Sequence, residues 1–240
     1  MLANIVAEIP WNFVGAILLF FCWYYPIGLY RNAQPTDTVE ERGALMWLLI
    51  LAFLMFTSTF AHMIIANIET AETGGHVANL MFSLCLTFCG VLATPKALPG
   101  FWIFMYRVSP FTYLVAAMLS TAVMDAEVRC AENEYLRFKP PPSQTCEQYM
   151  EPYINVAGGY LLTGTPGSAG GNQSCAYCQV GQTNAYLASL CINPHNRWRN
   201  LGLLWVYIIF NVFGALFLYW LGRVPKKNNV IGRFWRARRI

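Results

Sequence analysis

Five cysteines stand in one stretch of the chain: Cys130, Cys146, Cys175, Cys178 and Cys191. Thiols so placed cross-link or hold zinc, and Cys175-x-x-Cys178 is one half of a zinc pattern. Cys130 and Cys146 do not supply a second close pair, which favours cross-linking over metal. Other polar groups recur at helical spacing inside apolar runs. Asn79, Ser83 and Thr87 are each four residues apart and share one helix face, flanked by Phe82 and Leu86; Ser58 and His62 repeat the interval. Small polar groups of this kind hydrogen-bond to neighbouring helices or to their own backbone. A lone histidine such as His62 in such a run is more often a packing or hydrogen-bonding residue. Catalysis by a nucleophile needs Ser-His-Asp or Cys-His groups within reach. The three histidines, His62, His76 and His195, are scattered, and no such constellation is readable.

The elements that carry these residues follow from composition. The chain of 240 residues is 56% hydrophobic and 12% charged, against about 25% charge in a soluble domain. It cannot build a wettable surface, so a membrane protein is expected, with lipid and not nucleic acid around it. Apolar runs give spans at 11–30, 43–68, 75–93 and 199–222; the third is short. A crossing helix needs roughly 20 apolar residues. Lipid admits helices or closed barrels, and these runs are too long for barrel strands. The expected fold is therefore all-α, a polytopic transmembrane helical bundle.

Charge sets the orientation. The tail 223–240 holds Arg223, Lys226, Lys227, Arg233, Arg236, Arg238 and Arg239 and no acid. Basic segments beside a span stay cytoplasmic, where a tail of this kind binds anionic headgroups. Both termini are thus expected in the cytoplasm and the loop 123–198 on the far side, where disulfides form. Asn172-Gln173-Ser174 in that loop is a glycosylation sequon. The turn "NIETAETGGH" falls on the cytoplasmic side. Met1-Leu2-Ala3-Asn4 lacks a basic leader region, so either the first span is its own anchor or the chain is the tail of a longer protein. Asn4 to Trp11 reads as the end of an amphipathic elbow, with Pro10 opening the span.

One further apolar run, 97–121, contains Arg107 and Pro110. An arginine at mid-span costs about 2.5–3.5 kcal/mol on the mild insertion scale, and the proline breaks a helix. Two short helices that dip into the outer leaflet and return are cheaper. The first covers about Pro99 to Val108. Ser109 then caps the second, with Pro110 at its first position. Trp102, Tyr106 and Tyr113 suit the headgroup belt, and Arg107 lies near the interface.

The order "VAEIPW", "GALMWLLILAFLMFTSTFAHMIIANIETAETGGHVANLMFSLCLTFCGVLATPKALPGFWIFMYRVSPFTYLV", a loop with two cysteines and then "CAYC", and "NRWRNLGLLWVYIIFNVFGALFLYW" resembles the second membrane domain of fungal pleiotropic drug resistance transporters. These are full-length relatives of the G subfamily of ABC exporters. The resemblance covers essentially the whole chain. It implies that the four spans are the third to sixth of a six-span domain, with the re-entrant pair between the last two. It implies a partner membrane domain, two nucleotide-binding domains that hold ATP and Mg, plasma-membrane location, and export of small hydrophobic compounds.

The resemblance supports a second reading of the 77–93 face, as a mixed polar and apolar wall of the drug path. Four cysteines permit three pairings. A Cys175–Cys178 bond would constrain little, whereas Cys130–Cys178 with Cys146–Cys175 closes two long loops and is the pattern the resemblance suggests. Cys191 is then left over. No G-x-x-x-x-G-K-[S/T] loop is present, so ATP chemistry is expected elsewhere and no cofactor in this chain. A channel or receptor fragment is the less favoured class, since no filter-like ring motif occurs. A truncated, non-transporting protein that associates with or regulates an intact transporter is the alternative.

Overall fold

The computed structural model describes residues 2–66, 68, 70–92, 94–141, 144–162 and 175–223. In chain order the elements are α1 (Leu2–Ile27), α2 (Val39–Ile65), α3 (Ala71–Thr87), α4 (Ile103–Val108), α5 (Pro110–Val123), β1 (Leu136–Phe138), α6 (Cys146–Ala157), β2 (Tyr160–Leu162), β3 (Cys175–Cys178), α7 (Thr183–Ser189) and α8 (Arg197–Arg223). Among the described residues, α1, α2 and α8 are long and apolar enough to cross a membrane. The Gly100–Val108 and Pro110–Val123 pair, bent by 71°, qualifies if it is one span.

The span bounds differ from the sequence reading, most at the start of α1 and at the end of α3, which stops at Thr87 rather than 93. α1 starts at Leu2 rather than near Trp11 and carries Pro10 inside it, so the elbow and the span are one helix. α3 starts at Ala71, with Glu72 in its first turn where a carboxylate suits the helix dipole. Gly74 does not break the chain there. A Cβ on it would lie 3.1 Å from Ile65 Cγ1, so the glycine lets the start of α3 pack tightly against the end of α2. α3 has 17 residues, about 26 Å of helix, short of a hydrocarbon core of about 30 Å.

α2 is the central helix, touched by α1, α3, α5 and α8. On one side Leu45, Leu49, Ala52 and Phe56 are buried with Phe111, Leu114 and Ala117 of α5 and Leu201, Leu204 and Ile208 of α8. On another, Met46 and Ile50 meet Ala16 and Tyr24 of α1. Fully covered alanines at 16, 52, 117 and 215 let the helix backbones approach, as small residues do between spans. At the cysteine-loop end of the bundle, Arg42 is buried. It donates to the Met124 carbonyl (2.7 Å) and the Thr36 hydroxyl (3.1 Å) and lies 3.8 Å from Asp125. Glu41 beside it accepts from Arg197 (2.9 Å) and Trp198 (3.2 Å), pinning the start of α8.

The cysteine-rich loop has structure that its composition hides. A small antiparallel sheet runs in the order β1-β3-β2, with Phe138 opposite Cys175 and Tyr160 opposite Cys178. α6 begins at a capping box: the Thr145 hydroxyl accepts from the Gln148 N–H, and the Gln148 side chain from the Thr145 N–H. Cys130 is bonded to Cys178 and Cys146 to Cys175, with Cα separations of 6.1 and 5.8 Å, while Cys191 is a free thiol. The sequon at Asn172 and the basic tail beyond Arg223 lie outside the described residues.

Candidate functional site

The polar groups of α3 do not turn into the bundle. Asn79, Ser83, Leu86 and Thr87 are all exposed, a stripe on the outer side of the helix. The Thr87 hydroxyl donates to the Ser83 carbonyl one turn back (2.8 Å), which leaves its lone pairs facing outward. Phe82 belongs to the opposite side. Its ring meets Phe56, Phe60 and Phe111 edge-on, with centroids 5.2 to 6.4 Å apart. That aromatic cluster sets which face of α3 points away from α2 and α5.

Ser58 and His62 do not join this stripe. On α2 they sit two residues beyond Phe56 and Phe60, about 200° around the helix, and they face α1. The Glu8 carboxylate accepts from the Ser58 hydroxyl with one oxygen, and its other oxygen lies 3.0 Å from His62 Nε2. One turn further along α1, Asn12 reaches the Met55 sulfur at 3.6 Å. The seam is therefore polar at the start of α1 and aromatic further along, where Phe13 meets Trp47. No local sequence signal marks Glu8 as the partner of Ser58 and His62, which lie 50 and 54 residues away.

The broken pair α4–α5 closes over the end of α3. Pro110 has no N–H to return to the Tyr106 carbonyl, and the kink frees the next two carbonyls as well. Hydroxyls replace all three donors: Thr112 to Tyr106 (2.8 Å), Tyr113 to Arg107 (2.7 Å) and Tyr207 of α8 to Val108 (2.8 Å). Ser109 occupies the N-cap position, but its side chain does not cap α5. Its hydroxyl donates instead to the Cys85 carbonyl at 3.0 Å, tying the break to α3. Trp102 stacks on Phe88 at 5.2 Å, and the Tyr106 ring lies over Gly90. The Arg107 side chain is exposed. Hydroxyls of α5 and α8 thus satisfy the three carbonyls that the break exposes.

The ABC-2 type transporter family model matches residues 1–123, which hold α1 to α5 and therefore the α3 stripe and the broken pair above it. The chain belongs to the ABC-2 type transporter family. Over 232 residues, 97% of this chain, it is 59% identical to "ABC multidrug transporter C" of Aspergillus fumigatus. It is 58% identical over 94% of its length to "ABC multidrug transporter atrG" of Aspergillus oryzae, and 52% identical over 97% to "ABC-type transporter oblD" of Aspergillus clavatus. Those alignments cover 15%, 15% and 16% of the relatives, so the chain corresponds to a membrane-domain portion of such an ABC-2 type transporter.

Proposed function

We propose that this chain is part of the transmembrane pathway of an ATP-driven exporter of hydrophobic compounds. ATP and Mg would be held by nucleotide-binding domains outside the sequence in hand. The observation that carries the reading is the exposed stripe of Asn79, Ser83, Leu86 and Thr87 on a helix whose other face is locked by Phe82. Hydroxyl and amide groups are poorly matched to lipid tails. A partner membrane domain seated on that face would make it a wall of the substrate path, with apolar area and a few weak hydrogen-bond groups. Diverse hydrophobic cargo needs no charged cage. The names of the relatives support the same reading.

In this arrangement both ends of the bundle's long helices 2–27 and 197–223 that lie away from the cysteine loop face the cytoplasm. The loop 123–198 faces outside, the pair 97–121 dips into the outer leaflet and returns, and the membrane is the plasma membrane. Disulfides in that loop and the run of basic residues after Arg223 support this orientation. The test is to replace Ser83 or Thr87 by phenylalanine in the complete transporter and measure export of several dyes and drugs. A changed order of preference among them, at normal protein level, is the expected result. Equal loss for every compound, or loss of the protein, would instead make the stripe a packing surface.

A further inference from the structure

The cysteine-rich loop contains a cavity of about 470 Å³, well away from the α3 stripe. Its size falls within the range of ordinary small-molecule sites, about 300–1,000 Å³. Tyr135 and Leu136 form one wall, Met150 and Tyr153 of α6 another, and Tyr177 of β3 the floor. Tyr153 and Tyr177 meet edge-to-face at 5.7 Å. Tyr177 is 3% exposed and donates its hydroxyl to the Gly158 carbonyl, so its ring is fixed. Burial also pushes that hydroxyl's pKa up, which keeps the floor uncharged.

The walls are held by the two disulfides. Cys130–Cys178 ties the strand end beside Tyr177 to the segment leading to Glu134, and Cys146–Cys175 ties the first turn of α6 to the same strand. A site stapled on both sides is formed before a ligand arrives, which lowers the ordering cost of binding. Its electrostatics are one-sided. Among the described lining residues Glu134 is the one charged group. Its Oε2 accepts from the Ala131 N–H at 2.9 Å, which tethers this exposed side chain at the rim of the cavity. Arg137 follows Leu136 in β1, where alternation sends it to the other face of the strand.

We propose that this cavity is a binding site for a small cationic aromatic compound, its ring against Tyr153 and Tyr177 and its charge beside Glu134. Tyrosine faces attract a cation, and a carboxylate at the rim completes the recognition. The site goes beyond the transport reading and would stand if that reading failed.

The experiment uses the full chain in lipid nanodiscs with both disulfides intact. Two water-soluble probes of equal chain length, 4-phenylbutyl-trimethylammonium and 5-phenylpentanoate, are titrated and followed by saturation-transfer NMR. We expect the ammonium probe to bind about tenfold more tightly than the carboxylate. Glu134→Gln keeps the acceptor for Ala131 and removes the charge, so it should abolish that preference. Tyr153→Ala, and Tyr153→Leu if the alanine variant loses a disulfide on peptide mapping, should weaken both probes. Equal affinity for the two probes, an unchanged preference in Glu134→Gln, or binding no different from empty nanodiscs overturns the proposal.

Discussion

Glu8 of α1 and His62 of α2 face one another across 3.0 Å, with Ser58 on the carboxylate's other oxygen, so a single acid holds two residues a turn apart on the neighbouring helix. Polar contacts between spans contribute modestly, about 0.6 kcal/mol on average, because the separated helices find other partners. We expect Glu8→Ala to lower stability by about 1 kcal/mol in nanodiscs. His62→Ala in the Glu8→Ala background should cost less than His62→Ala alone, as a double-mutant cycle of thermal unfolding would register. Strict additivity would mean that the contact contributes nothing.

Gly90 has φ +91°, and a Cβ on it would lie 2.7 Å from Tyr106 Cε2. Gly90→Ala therefore meets both a backbone penalty and a steric one, together about 2 kcal/mol. Shortening the ring by Tyr106→Leu should return the steric part and leave the backbone part. Thermal unfolding of the two single variants and the double variant separates the two contributions.

Breaking one bridge is the same event from either side. Cys146→Ser and Cys175→Ser should loosen the loop equally, and the double change should add little. In the chain-entropy account each bridge contributes about 3–4 kcal/mol to loop stability. Limited proteolysis of the loop, compared among the three variants under non-reducing conditions, measures it. A markedly weaker double variant would point to a different pairing.

Arg42 is 3% exposed and joins the start of α2 to Met124, Thr36 and Asp125. Arg42→Ala leaves those groups without their donor and should destabilise by about 2–3 kcal/mol. Hydrogen exchange should rise first at residues 122–126, where the loop leaves the bundle. Arg42→Lys restores a charge but reaches fewer of the three partners, so it should give an intermediate value.

Much of the membrane architecture was legible in the sequence because it follows from hydropathy. The apolar runs mark α1, α2 and α8, and Pro110 after Ser109 marks the break between α4 and α5. Local signals failed where the decisive contact was distant. The run 75–93 misses the first turn of α3, where Gly74 gives Ile65 of α2 room to pack closely. Ser109 has the chemistry of a cap, but its hydroxyl donates to the Cys85 carbonyl instead. The i, i+4 pattern found Ser58 with His62 and Asn79 with Ser83, yet it could not tell that α2 turns the first pair toward α1 while α3 turns the second outward. Strands of three or four residues, pinned by cross-links, leave no periodic pattern long enough to read.

The lobe between Ala126 and Gln182 leaves and rejoins the bundle at almost one point. The Thr183 hydroxyl donates to the Val123 carbonyl, its N–H donates to Ala126 (3.2 Å), and the Asn184 amide donates to Asp125 (2.7 Å). Two chain crossings fastened side by side make a cassette joint. Residues can be inserted, deleted or exchanged beyond it while the helices below keep their register, much as domain insertions are tolerated where the termini of the inserted unit lie close together. The lobe can therefore be rewritten without disturbing the helices it joins, with Thr183 and Asn184 as the rim of the socket.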